Sequence, residues 1–130
     1  MRYLGVLAIL AVSGLAACKD ETVTGYGAAD KTWVLQSISD EAFAARATLT
    51  FPEPGQIAGD APCNSYSAEQ RAPYPWVEFG PMAVTRKACP ELDAEQMYLA
   101  ALQQMTQVEV LGNTLILRNE AGVEMVFGAR

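Results

Sequence analysis

The chain has 130 residues, 51% of them hydrophobic and 18% charged, with nine Lys and Arg against 15 Asp and Glu, no histidine, and a formal net charge of −6. That length allows one domain with a short appendage and no second core. An acidic balance repels phosphate backbones, and no basic run is interleaved with aromatics, so nucleic-acid binding is excluded.

In chain order, Arg2 is followed by an apolar or small stretch from Tyr3 to Ala17, ending in Leu15-Ala16-Ala17 before Cys18. About 15 apolar residues fall short of the ~20 that a membrane-spanning helix needs. Small residues at the end of such a stretch mark a processing site. The pattern predicts a lipoprotein signal peptide over 1–17 and lipidation of Cys18, with an uncleaved anchor helix as the alternative. Two or three acyl chains give stable attachment where one is marginal. Lys19 rather than Asp follows the cysteine, which points to a periplasm-facing protein of the bacterial cell envelope, sorted to the outer membrane. Residues 18–30 show no apolar period and hold two glycines, Gly25 and Gly27, as expected of a lipidated flexible tether. The folded domain is expected over 31–130.

Trp33–Ile38 reads as a strand with Trp33 and Leu35 on one face. Residues 47–51 alternate, with Ala47, Leu49 and Phe51 inward. Pro52-Glu53-Pro54-Gly55 is a turn, and Gln56–Gly59 returns as a hairpin arm. A loop over 60–66, a short strand over 67–71 and another over 76–79, after Pro73 and Pro75, complete the middle third. Asp93 is the expected N-cap of a helix reaching about Thr106, with Gln96 in capping-box register and Leu92 and Met97 as staple. Its apolar stripe of Met97, Ala101, Leu102 and Met105 reads as core, with an adaptable apolar groove as the alternative. Gly112-Asn113 suits a two-residue turn with glycine first, pairing Val110 with Leu115 and Val108 with Leu117. After a second turn at 119–122, Val123, Met125 and Phe127 continue the inward face. Several antiparallel strands and one helix make an α+β domain.

With Cys18 acylated, Cys63 and Cys89 remain as an even pair in an oxidising compartment, and a disulfide between them is expected. It would close a loop of about 27 residues and contribute about 3.5 kcal/mol in the chain-entropy model. Two buried free thiols are the alternative. A metal site is a poorer one, because two cysteines without histidine are an incomplete zinc set.

With these residues in view, the chain resembles the META-domain family, which includes the HslJ-type heat-inducible bacterial proteins. The matching pieces are Trp33-Val34-Leu35, Leu49-Thr50-Phe51, Ile57-Ala58-Gly59, Cys63-Asn64-Ser65-Tyr66, and the segment from Phe79 to Pro90 containing Thr85-Arg86-Lys87-Ala88-Cys89. The match covers roughly residues 31–128. The resemblance implies an antiparallel β-sheet or open half-barrel with one helix packed across it, and it supports pairing of Cys63 with Cys89. It also implies export or membrane anchoring, with proposals of envelope stress, antibiotic tolerance and secretion or motility. No catalytic residues are established for the family, so none carry over.

Without histidine, Ser-His and Cys-His nucleophile pairs are missing, and no Cys-x-x-Cys or Gly-rich phosphate cradle occurs. Asp60, Glu78 and Glu91 remain as carboxylate candidates by residue type alone, and read better as solvated surface acids. The expectation is a monomeric, non-enzymatic protein without cofactor or metal, held to the membrane by its lipid. Its candidate binding patch is Asn64, Tyr66, Thr85, Arg86 and Lys87, facing an envelope protein. Asn64 and Thr85 read better as structural, turn-stabilising side chains, which leaves ligand contact to Arg86 and Lys87. The alternative is an apolar, acyl-chain ligand or a secretion-assembly role, with Trp33, Leu49, Phe51, Met97, Leu102, Met105 and Phe127 lining a half-barrel.

Overall fold

A computed structural model of the chain describes residues 19–130; the expected leader over 1–17 and the expected lipidation site, Cys18, lie outside the described residues. The strands in chain order are Trp33–Ile38 (β1), Glu41–Ala42 (β2), Thr48–Leu49 (β3), Gln56–Asp60 (β4), Ser65–Glu69 (β5), Ala83–Val84 (β6), Gln107–Leu111 (β7), Thr114–Arg118 (β8) and Glu124–Ala129 (β9). One helix, Leu92–Gln103 (α1), stands between β6 and β7.

The larger sheet has the order β2-β1-β9-β8-β7, with β3 also on β1, and the smaller has the order β4-β5-β6. Every pairing is antiparallel. Isolated bridges join the two sheets at their seams: Thr50 with Ala58 on one side, Gln70 with Phe79 and Trp76 with Gln107 on the other. No closed barrel forms among the described residues. Among the described residues the architecture is two antiparallel sheets with one small α-helix.

Period-two alternation placed the closing meander correctly. Val108 pairs with Leu117 and Val110 with Leu115, and Gly112 takes φ 59°, the left-handed value that the turn needs in its first position. Leu115, Leu117, Met125 and Phe127 are fully buried together with Trp33, Leu49, Tyr98 and Leu102.

Four readings are corrected. The tether is the first: Val23–Tyr26 forms a 3-10 turn whose Val23 is 1% exposed, and Ala28 is fully buried. Ala28 lends its carbonyl to the Trp33 indole N–H at 3.0 Å. Val23-Thr24-Gly25-Tyr26 shows no apolar period because a single turn has none; it is held by tertiary contacts. Next, the strand expected over 67–71 lies two residues earlier, at Ser65–Glu69. Residues 76–79, in turn, make only the isolated bridges of Trp76 and Phe79, since the prolines before them prevent a longer ladder.

The helix is the fourth. It starts at Leu92, preceded by Glu91 without a side-chain cap, and Met97 is 58% exposed. The buried line is Glu95, Tyr98 and Leu102. Tyr98 centres the helix because its ring packs between the sheets, against Phe127 at 6.5 Å and Tyr66 at 5.8 Å. A hydrophobicity count ranks Met97 above a glutamate, but the glutamate has hydrogen-bond partners inside.

Candidate functional site

The loop over 61–64 and the segment over 85–91 are joined by the Cys63–Cys89 disulfide, with Cα atoms 5.6 Å apart. Beneath it lies a saturated polar cluster. Asn64 Nδ2 donates to the Lys87 carbonyl at 3.0 Å and to Glu95 Oε2 at 2.6 Å. Asn64 Oδ1 accepts from the Thr85 hydroxyl at 2.9 Å and from the Lys87 N–H at 2.5 Å. Glu95 Oε1 accepts the N–H groups of Cys63 at 3.0 Å and Asn64 at 2.7 Å. Glu95 is 3% exposed, and sequence reasoning missed it. Its only signal is a place in the acidic first turn of α1. Three N–H donors on one carboxylate offset the cost of burying it.

Tyr66 is 3% exposed and belongs to the core rather than to a surface patch. Its hydroxyl lies 2.6 Å from both the Thr48 carbonyl and the Tyr98 hydroxyl, and Tyr98 Oη also reaches the Thr48 carbonyl at 3.2 Å. Burial pushes both phenols well above the usual tyrosine range, and the neighbouring hydroxyl pulls the Tyr66 value back slightly while raising that of Tyr98 further. Gly59 is opposite Tyr66 in the β4–β5 register, and a Cβ there would collide with the Thr48 carbonyl and the Tyr66 hydroxyl. Glycine is therefore what lets the ring lie across the strand.

Of the five patch residues, the structure brings all to one end of the small sheet but leaves only three at the surface. Asn64 and Tyr66 are buried, and their hydrogen-bonding capacity is used internally; Thr85, Arg86 and Lys87 are exposed. Thr85 still serves the scaffold, since its Oγ1 accepts from Ser65 N at 3.1 Å. Among the described residues neither Arg86 nor Lys87 takes part in an ion pair; the ion pairs present use Arg71 and Arg118. Cys63 Sγ, Cys89 Sγ and a Glu91 carboxylate oxygen lie within 4.8 Å of one another. With both sulfurs in a disulfide, no thiolate is left to hold a metal. Asp60 accepts the Ser65 hydroxyl at 3.0 Å, and Glu78 is an exposed loop residue.

A second feature lies on the outside of α1, at Met97 of the methionine stripe. Between residues 38–45 and the outer face of α1 runs a groove of about 720 Å³, floored by Ile38, Phe43, Ala94 and Met97 and flanked by Glu41 and Glu91. The side chains expected to line a half-barrel cavity, Trp33, Leu49, Phe51, Leu102, Met105 and Phe127, are instead packed core. Met97 alone is shared with the groove.

A profile for the META domain matches residues 27–130, and the chain belongs to the META-domain family. No curated protein sequence matches it. Among solved structures, an NMR structure of a protein from Burkholderia xenovorans is similar, at 24% identity and TM-score 0.64, covering 79% of this chain and 83% of the other. So is the crystal structure of a DUF4847 family protein from Bacteroides vulgatus, at 13% identity and TM-score 0.66, covering 82% and 96%. A further NMR structure aligns at 21% identity with TM-score 0.58, covering 75% and 87%. At these identities the likeness concerns the fold.

Proposed function

We propose that this META-domain protein is an exported, lipid-anchored, non-enzymatic binding module of the bacterial envelope, serving envelope maintenance or stress tolerance by docking another envelope protein. The observation that supports it best is the bracing of one exposed cationic loop. The disulfide, Asn64 and Glu95 hold the 85–87 backbone from below while Arg86 and Lys87 project from an acidic domain. A pre-ordered loop loses less entropy on docking, and opposite charge steers the encounter. A disulfide under that loop suits an oxidising compartment, in keeping with the Leu-Ala-Ala-Cys leader end. Chemical crosslinking in living cells followed by mass spectrometry tests this reading. Arg86→Glu should remove partners that the wild type captures, and an unchanged partner set would overturn it.

The groove favours a second reading, capture of an apolar or acyl-chain ligand, at Phe43 and Met97 rather than in a half-barrel interior. Native mass spectrometry of protein purified without detergent should then show a co-purifying lipid lost in Met97→Glu. A secretion-assembly role would use the same two surfaces.

A further inference from the structure

We infer that the β7 edge of the large sheet, presenting Tyr26, Tyr74 and Trp76, is the face on which the domain rests against the headgroup layer of its own membrane. The inference rests on the proposed acylation of Cys18. It starts from how little chain separates that position from the fold. The Asp20 carboxylate accepts the Thr22 N–H at 2.9 Å and the hydroxyls of Thr22 and Thr24, each at 2.5 Å. Those hydroxyl bonds hold its carboxyl below the usual carboxylate range. Glu21 O accepts the Tyr74 N–H at 2.7 Å, and Val23 is already core. Three residues, fully extended, reach at most about 10 Å, so an acylated Cys18 cannot stand farther than that from the Glu21–Tyr74 contact.

An acyl chain in the hydrocarbon holds the Cys18 backbone at headgroup depth, in a layer about 5–7 Å thick. What surrounds Glu21 is therefore placed at the membrane boundary, and it is aromatic. Tyr26 stacks on Tyr74 at 4.3 Å and 10°, and Tyr26 and Trp76 are 44% and 51% exposed. Tyrosine and tryptophan favour this boundary because each carries an apolar body and a polar tip. The presentation is rigid. Val108 N donates to Pro75 O at 2.8 Å and Val77 N to Thr106 O at 3.0 Å. Buried Gln70 accepts Ala72 N at 2.8 Å and Glu78 N at 3.0 Å. Lys19, Asp20 and Glu21 leave no net positive charge here, so contact depends on aromatic insertion into zwitterionic headgroups rather than on anionic lipid. The apolar groove beside Met97 lies at β2, the opposite edge of the sheet, four strands across from β7.

The two tryptophans make this testable, since Trp33 is fully buried and Trp76 is not. The natively processed protein is weighed intact for acyl chains. It is then reconstituted into phosphatidylethanolamine–phosphatidylcholine vesicles with or without bromines high on the acyl chain, and Trp76→Phe isolates the Trp76 signal. Trp76 emission should be blue-shifted and fall by about half in brominated vesicles, with no change at high salt. Met97→Ser should leave that quenching unaltered. Acylated protein that floats with vesicles while Trp76 stays unquenched and open to aqueous iodide overturns the orientation and leaves the anchor standing. Trp76 shielded from iodide but not quenched by bromolipid also overturns it, because a protein or second copy then covers the face. A mass without acyl chains overturns the anchor and this inference together.

Discussion

The disulfide-braced end of the small sheet and the aromatic edge of the large one are built alike and finished differently. Both are short loops held by side-chain and backbone hydrogen bonds. At the braced end, Asn64, Tyr66 and Glu95 turn their polar groups inward, and the long side chains left outside, Arg86 and Lys87, are charged. At the β7 edge, Gln70 and the β7 backbone absorb the polar groups, and what stays outside is aromatic. Saturated polar side chains under cover stabilise a shape; large apolar side chains left rigid and uncovered are available to a partner. Residue type alone does not separate the two uses.

The comparison can be broken at the braced end most severely. Replacing both Cys63 and Cys89 by Ser should lower stability by about 3.5 kcal/mol in urea unfolding, without disturbing amide protection near Tyr26. Glu95→Ala, which strands two backbone N–H groups and the Asn64 amide, should cost about 3 kcal/mol; Glu95→Gln, keeping the shape, should cost less. Tyr98→Phe should cost about 1 kcal/mol at neutral pH. It should also alter the alkaline limb. With both phenols raised in the folded state, their contribution is complete below pH ~10 and is lost as pH climbs from there toward the folded values. Urea midpoints at pH 8 and 11 should converge partly in Tyr98→Phe.

Smaller effects sharpen the contrast from the other side. The lowered Asp20 carboxyl contributes above its unfolded value and loses that contribution as pH falls past about 4. Asp20→Ala should speed amide exchange at Gly25 about tenfold, with the braced end unchanged. Arg86→Glu should alter stability by no more than about 0.5 kcal/mol, its effect appearing only in partner capture.

How far the chain could be read in advance depended on the kind of pattern each element carries. The β7–β8 hairpin was legible down to register, because alternation and a glycine turn leave one pairing that buries Val108, Leu115 and Leu117 together, and β9 was legible as an inward face through Met125 and Phe127. Cys63 and Cys89 were legible by counting. The 3-10 turn at Val23 was not, since a single turn of four residues carries no period and its order comes from Tyr74 and Trp33. The helix face was misread for a related reason. Met97 outranks Glu95 on any hydropathy scale, yet burial is decided by whether a group finds partners, and only the glutamate does.

From the residue order alone followed the antiparallel α+β class, the membership suggested by the Cys-Asn-Ser-Tyr and Thr-Arg-Lys-Ala-Cys segments, and the pairing of the two sulfurs. Those rest on local periodicity, motif and count, which need no knowledge of distant neighbours. Folding in three dimensions alone decided that Asn64 and Tyr66 are interior and that a groove opens at Met97. It also decided that the chain is already structured two residues after Cys18. The cause is the same each time: a side chain's use is set by which groups from other elements reach it, and that information is non-local.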